Sequence, residues 1–357
     1  AQWTAPYAAA AAGGSSGTAE KSGRGGAAFR HFGLIEPAAA LRVADVTPDV
    51  LAVFGRLVAP YPFDSYGHFA APDFGGGMEN QSMTAIGANV FTTRSPRNSY
   101  SLIAHEAAHQ WFGDAISPYS WADIWLNEGF ATYFAELWRA DRFGPEPLGW
   151  RMDGLRYTIL NGGANAPVSQ PILSDMFGTN TYEKGGWVLH MLRAQLGEEA
   201  FWKGLRAYYA AFEYGNAKTD DLEAALAAEA AGTGVNVEAA FDQWVHRAGQ
   251  PVVYAGWTQG ADDVVRVRLC QSEPACDLPI TVAAHQKNGS LRASGRLTGA
   301  QTDLEVSTTE FPFKDVTGVT VDPDVELLAD IRVVRLADGA ATTCDAVAAA
   351  WAAGGKP

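Results

Sequence analysis

The segment His105-Glu106-Ala107-Ala108-His109 pairs residue types and a spacing that can do chemistry. Positions i and i+4 of a helix share one face, so both imidazoles can grip a single metal ion. Glu106 projects about 100° away, out of line with the histidines yet within reach of a water held at the metal. A catalytic zinc site uses three protein ligands and keeps one position open, so a further ligand is expected elsewhere. Trp121 to Tyr133 reads WADIWLNEGFATY and places Glu128 after 18 intervening residues beyond His109. A helix, a turn near Ser117-Pro118 and a second helix returning alongside would set Glu128 opposite the histidines. The expected cofactor is therefore one Zn2+ per chain, held by His105, His109 and Glu128 as a His2Glu set.

A second cluster lies upstream, Gly75-Gly76-Gly77-Met78-Glu79-Asn80. Glycines let a substrate backbone lie close to the protein chain, and the Glu79 carboxylate beside them can hold a positive group. The remaining histidines have blander roles. His190 sits on an apolar helical face, and His246 precedes a helix end, where a cation suits the dipole. His31, His68 and His285 show no ligand spacing. Trp111, Trp121 and Trp125 are expected to pack as core around the metal helices.

These residues need helices to position them, and from about residue 98 to 249 the pattern is helical throughout. One segment is capped at Asn98 or Ser99 and closes at Gly113. A second runs from about Ala122 to Phe143. A third starts near Asn180 and ends at Gly197, another begins at Glu198, Thr219 caps the next, and the last ends at Arg247. Earlier, Pro48–Val58 reads as a helix with Thr47 as its cap. After Pro251 the period changes to two: VVYAGW, VVRVRL, LPITVAA, LRASGRL, TDLEVST and GVTVD read as short strands, as in a small β-sandwich. Residues 8–26, rich in Ala, Gly and Ser, read as a flexible linker. The expected organisation is a partial or flexible segment at 1–45, a mainly helical catalytic domain at 46–250, a β-sandwich at 251–335 and a loosely held tail at 336–357, an α+β chain.

Composition narrows the functions. A length of 357 residues suggests two or three domains, and 47% hydrophobic residues exclude wholesale disorder. No apolar run reaches the roughly 18 residues of a membrane span. A net charge of -14 argues against nucleic acid or an anionic membrane as partner. Cys270 and Cys276 flank a short polar loop; a disulfide across that hairpin and two reduced thiols are both open, and Cys344 has no evident partner. The disulfide alternative, with the start at Ala1, favours a processed, secreted or periplasmic product or a fragment over a cytoplasmic one.

Taken in order, GGMEN, HEAAHQWFGD and WADIWLNEGFATY resemble the aminopeptidase N family of gluzincin metallopeptidases, which carries GxMEN and HExxH followed by a glutamate after 18 residues. TYEKGGWVLHML at 181–192 and FDQWVHRAGQPVV at 241–253 are similar to further segments of that family. The resemblance implies a thermolysin-like catalytic domain, zinc on His105, His109 and Glu128, Glu106 as general base, and Tyr182 as donor to the developing oxyanion. It further implies a substrate strip of Gly76, Gly77, Met78, Glu79 and Asn80, with Glu79 gripping the free α-amine of a peptide. Family members usually carry a large β-domain ahead of GxMEN and often a helical domain after the sandwich. Their lack here makes an open-cleft endopeptidase or oligopeptidase, or a silent binding domain of the same fold, the competing expectations.

Overall fold

The computed structural model describes residues 17–22, 28–33, 45–92, 96–163, 165–260, 262–307, 316–337 and 342–354. Helix and strand are both abundant, so the class is α+β. Two compact units divide the chain: Ala1–Ile159 with Gly163–Arg247, and Leu160–Gly162 with Ala248–Pro357.

The first unit contains strands β1 (Gly17–Ser22), β2 (Ala28–Gly33), β3 (Tyr66–Ala71), β4 (Gly77–Met78) and β5 (Met83–Gly87), ordered β1-β2-β3-β5-β4, and a separate parallel pair, β6 (Ile116–Pro118) with β7 (Gly215–Ala217). In the five-stranded sheet β3 pairs parallel with β2 and β5, and the outer pairs are antiparallel. The reading of 8–26 as a linker is corrected at Gly17–Ser22, which pairs with Ala28–Gly33; backbone ladder bonds require no apolar side chain. The rest of 1–44 lies outside the described residues. β4 carries the glycine strip on the sheet edge, and the Gly76 carbonyl accepts from Gly87 N at 2.8 Å.

Helices build the remainder. Thr47–Leu57 takes Pro48 in its first turn and buries Val50, Val53 and Phe54. Pro96–Ala108 carries His105, with His109 the first residue past its end, and buries Ile103, Ala104, Ala107 and Ala108; small alanines let neighbouring backbones approach. Trp125–Phe143 carries Glu128 and is buried over nearly its whole first half. Phe112 stacks on Phe130 at 4.2 Å, and Trp111 and Trp125 are fully buried, as expected. Trp121 is not core: it is 63% exposed, because it sits in the short turn Trp121–Asp123 ahead of the helix, where only Asp123 is buried. Helices Glu146–Gly162, Gly185–Phe212, Thr219–Glu229 and Val237–Phe241 follow. The break expected at Gly197 is a kink inside Gly185–Phe212, with φ 79°. Thr219 does not cap its helix; its N and Oγ1 both donate to Asp123 Oδ1 at 2.9 Å, and Trp125 Nε1 donates to Thr219 Oγ1 at 2.9 Å. Thr219 thus ties its own helix to the start of the glutamate helix.

In the second unit, β8 (Val252–Gln259), β9 (Val264–Gln271), β10 (Leu278–Gln286), β11 (Gly289–Leu297), β12 (Gln301–Ser307), β13 (Gly318–Val321) and β14 (Asp330–Arg335) form two sheets. Their orders are β12-β9-β8-β14 and β11-β10-β13. Alternation drives this arrangement: β9 buries Val265, Val267 and Leu269 and turns Arg266 and Arg268 toward Glu305 and Asp303 of β12. β14, unread in the sequence, pairs parallel with β8.

Cysteine pairing differs from expectation. The disulfide joins Cys270 to Cys344, and Cys276 is buried outside it. The side chain of Gln271 bridges the loop instead, accepting from Cys276 N at 3.0 Å and donating to Cys276 O at 2.7 Å. Nor is the described part of the tail loose: Cys344–Gly354 is a helix with Val347 buried, and Trp351 lies under the Arg332 guanidinium at 4.6 Å. Among the described residues, no helix is long and apolar enough to cross a membrane.

Candidate active site

His105 near the end of its helix and His109 just past that end sit one turn apart, with ring centroids 4.7 Å apart. Each Nε2 lies 3.3 Å from Glu128 Oε2 on the facing helix. His109 Nδ1 meets two acceptors, Asn127 Oδ1 at 2.7 Å and the Phe112 carbonyl at 3.1 Å. Nδ1 therefore carries a proton, which leaves Nε2, facing Glu128, as the nitrogen available to a metal. One ligand atom from each of His105, His109 and Glu128 falls within 4.8 Å of the others. Two imidazole nitrogens and one carboxylate oxygen fit a zinc-like divalent cation by chemistry and convergence. A mostly exposed acidic group, Asp220, Glu223 and His246, has the same spread, and such surface groups commonly hold no ion.

Charge in the cluster follows from burial and proximity. Burial raises the Glu128 carboxyl, but hydrogen bonds to His105 and His109 win and hold it well below the usual range. Burial lowers His105 against the pull of Glu128. At His109 burial also acts downward, yet the Glu128 hydrogen bond and charge outweigh it and the pKa is raised. Burial pushes Glu106 up to about 8, opposed by His109 and reinforced by Glu79, Glu128 and Asp114. A cation among these carboxylates would relieve their mutual repulsion.

Glu79 is fixed by the same helices. Asn127 Nδ2 donates to Glu79 Oε1 at 3.1 Å, so one side chain ties Glu79 to His109. Gln110 makes four contacts: Nε2 donates to Glu79 O at 3.0 Å and Asp114 Oδ2 at 2.8 Å, and Oε1 accepts from Ser82 N at 2.8 Å and Tyr61 Oη at 3.3 Å. An amide has four such capacities and all are used. Sequence reading missed Gln110 and the part played by Asn127; their neighbours in the motifs were the only signal.

Tyr182 comes from a π-turn, Asn180–Lys184, that opens the Gly185–Phe212 helix; such bulges recur at functional sites. Its ring stacks on His105 at 5.9 Å. Burial first, then Glu128, pushes its phenol far above the usual range. The close pass of Gly129 against Gly185, where a Cβ on Gly129 would meet backbone at 2.9 Å, brings the turn onto the Glu128 helix.

A cavity of about 610 Å³ is lined by Gly77, Met78, Glu79, His105, Glu106, His109, Glu128 and Tyr182 together with Arg151, Glu136 and others. Two residues of the expected strip stand apart from this lining. Gly76 is engaged at the sheet edge, and Asn80 forms a turn, its carbonyl accepting from Met83 N at 3.0 Å.

Residues 44–244 match the Peptidase family M1 domain, more than half of the chain. Aminopeptidase M1-A of Oryza sativa subsp. japonica is 32% identical over 248 residues, 64% of this chain and 28% of that protein. Aminopeptidase M1 of Arabidopsis thaliana is 33% identical over 252 residues, 65% of this chain and 28% of that protein. Thyrotropin-releasing hormone-degrading ectoenzyme of Homo sapiens is 38% identical over 168 residues, 43% of this chain and 15% of that protein. The matched region thus spans little more than a quarter of the plant relatives. With the paired histidines, the facing glutamate and the tethered Glu79 in one cavity, this match assigns the chain to the peptidase M1 family.

Proposed function

We propose that the chain is the catalytic part of a zinc aminopeptidase that removes N-terminal residues from peptides. The observation that carries this reading is the Glu79–Asn127–His109 tether, in which the 3.1 Å and 2.7 Å contacts hold a carboxylate at a set place beside the metal-binding trio. A carboxylate so placed favours a substrate whose charged amine lies one residue from the bond over the metal. The names of the plant relatives, aminopeptidases both, support it.

His105, His109 and Glu128 would hold one zinc ion per chain, which supplies Lewis acidity that acidifies water and polarises a carbonyl. Glu106 takes the proton of the attacking water on a carboxylate oxygen and hands it to the departing amine. Tyr182 Oη, which keeps its proton at working pH, donates to the carbonyl oxygen as charge develops there. Glu79 binds the α-amine, and Gly77 and Met78 line the strip under the peptide backbone. We assign a thermolysin-like domain to 46–250 and a β-sandwich to 251–335, and an oxidising, extracytoplasmic compartment fits the Cys270–Cys344 disulfide.

Zinc-loaded protein should hydrolyse amino-acid amides, lose that activity to a chelator and regain it with zinc. Glu106→Gln should keep the metal and lose about 10²–10⁴ in rate. Undiminished turnover in that variant, with zinc in place, would remove Glu106 from its role.

A further inference from the structure

The cavity extends well past the metal-binding residues. Its floor follows two helices that run in opposite directions: His109 bonds Asn127 at one end, and Arg139 Nη1 donates to Ser101 Oγ at the other. The first end is acidic, with Glu79. The second holds the opposite sign. Glu136 is buried there, and Arg151 forks onto it, Nε to Oε2 at 3.0 Å and Nη2 to Oε1 at 2.8 Å. Arg139 Nε lies 3.7 Å from the same carboxylate. Two guanidinium groups around one carboxylate leave one positive charge in excess. Arg151 lines the cavity, and its side chain is 46% exposed where that of Glu136 is 4%. Among the described residues its Nη1 has no hydrogen-bond partner.

We propose that Arg151 is a specificity-determining residue that receives a substrate carboxylate on the leaving-group side of the scissile bond. A guanidinium already braced by a buried partner is pre-organised for a second carboxylate, and the free edge of its fork suits that anion. Distance sets which carboxylate arrives. Glu136 follows Glu128 by two helical turns, about 12 Å at 1.5 Å per residue. An extended peptide covers about 3.3–3.6 Å per residue, and the arginine side chain spans part of the gap. The carboxylate therefore sits about two or three residues beyond the cleaved bond. It is either the C-terminal carboxylate of a short peptide or an acidic side chain at that place. The direction of the substrate rests on the aminopeptidase reading; the carboxylate contact does not.

A merely structural Arg151, pinning the Glu146–Gly162 helix to Glu136, would affect all substrates alike. Three probes separate the cases: Leu-Ala-Ala, its C-terminal amide, and Leu-Ala-Glu amide. Their dissociation constants are measured by calorimetry on zinc-loaded full-length Glu106→Gln protein, and their kcat/KM on the parent. The free acid, the glutamyl amide or both should bind about tenfold or more tighter than the neutral amide, the effect of one charge-assisted contact; which of them gains identifies the source of the carboxylate. Arg151→Gln should bring that ratio to about one. The double change Glu136→Gln with Arg151→Gln leaves no buried carboxylate unpaired and should do the same. A ratio near one in the parent, a ratio that survives both changes, or no measurable binding of any probe overturns the proposal. A parent ratio that Arg151→Gln abolishes, without turnover of any peptide, would instead sink the aminopeptidase reading and leave the carboxylate contact standing.

Discussion

Gly77 faces Glu106 at a separation that admits no side chain: a Cβ on Gly77 would lie 2.1 Å from Glu106 Oε1 and 2.2 Å from its Cδ. The proposed substrate strip and the proposed general base therefore fit together only because residue 77 is glycine. Gly77→Ala must push the carboxylate aside or bow the strip outward. Misplacement by about 1 Å can cost about 10²-fold in rate. The variant should keep its zinc, because Glu106 is not among the three ligands, and lose activity on that scale. Full activity in zinc-replete Gly77→Ala would show that Glu106 acts from another position.

Tyr182→Phe should lower kcat by about 10²–10³ with a smaller change in KM, since a donor aimed at a developing oxyanion acts mainly in the transition state. Because burial and Glu128 raise its pKa, ionisation of Tyr182 should produce no loss of activity below about pH 10. Steady-state kinetics across pH checks both points. A large rise in KM at constant kcat would make Tyr182 a binding residue.

Asp114 should make stability depend on pH. Burial, against the pull of His109 and with the push of Glu79, raises its pKa to about 7, while an unfolded chain releases that proton near pH 4. The native state holds the proton more tightly, so this contribution to stability is full below about pH 4 and is lost as pH rises through 7. Asp114→Asn keeps an oxygen that can accept from Gln110 and removes the titration. Thermal unfolding of metal-free protein should show the variant gaining most over wild type at pH 8 and little at pH 4. Equal gains at both would assign the effect to something other than this carboxyl.

The candidate metal-binding trio was legible because its logic is local. Two histidines at i and i+4 declare a shared helix face, and the later glutamate completes a recognised donor set; the structure brings all three within 4.8 Å. Gln110, Asn127 and Arg151 were not legible, because what they do depends on partners that only tertiary packing supplies, such as Glu136 for Arg151. The same holds for β3 and β5, whose parallel pairing leaves no period-two signature in such short runs. The cysteines misled for the complementary reason. Spacing pointed to the near neighbour Cys276, whereas the bonded partner lies 74 residues away on a helix that composition alone presented as a loose tail.

The central claim is that Glu79 grips a free amine beside the metal site. Glu79→Gln tests it with little disturbance, because the amide oxygen can still accept from Asn127 and so leave His109 oriented. The measurement is kcat/KM for one peptide in free and N-acetylated forms, in zinc-loaded wild type and variant. Wild type should favour the free peptide by about tenfold or more, the scale of one charge-assisted contact, and Glu79→Gln should bring the ratio close to one by slowing the free peptide. A wild type that cleaves both forms alike, or a variant that keeps the full preference, would contradict the account.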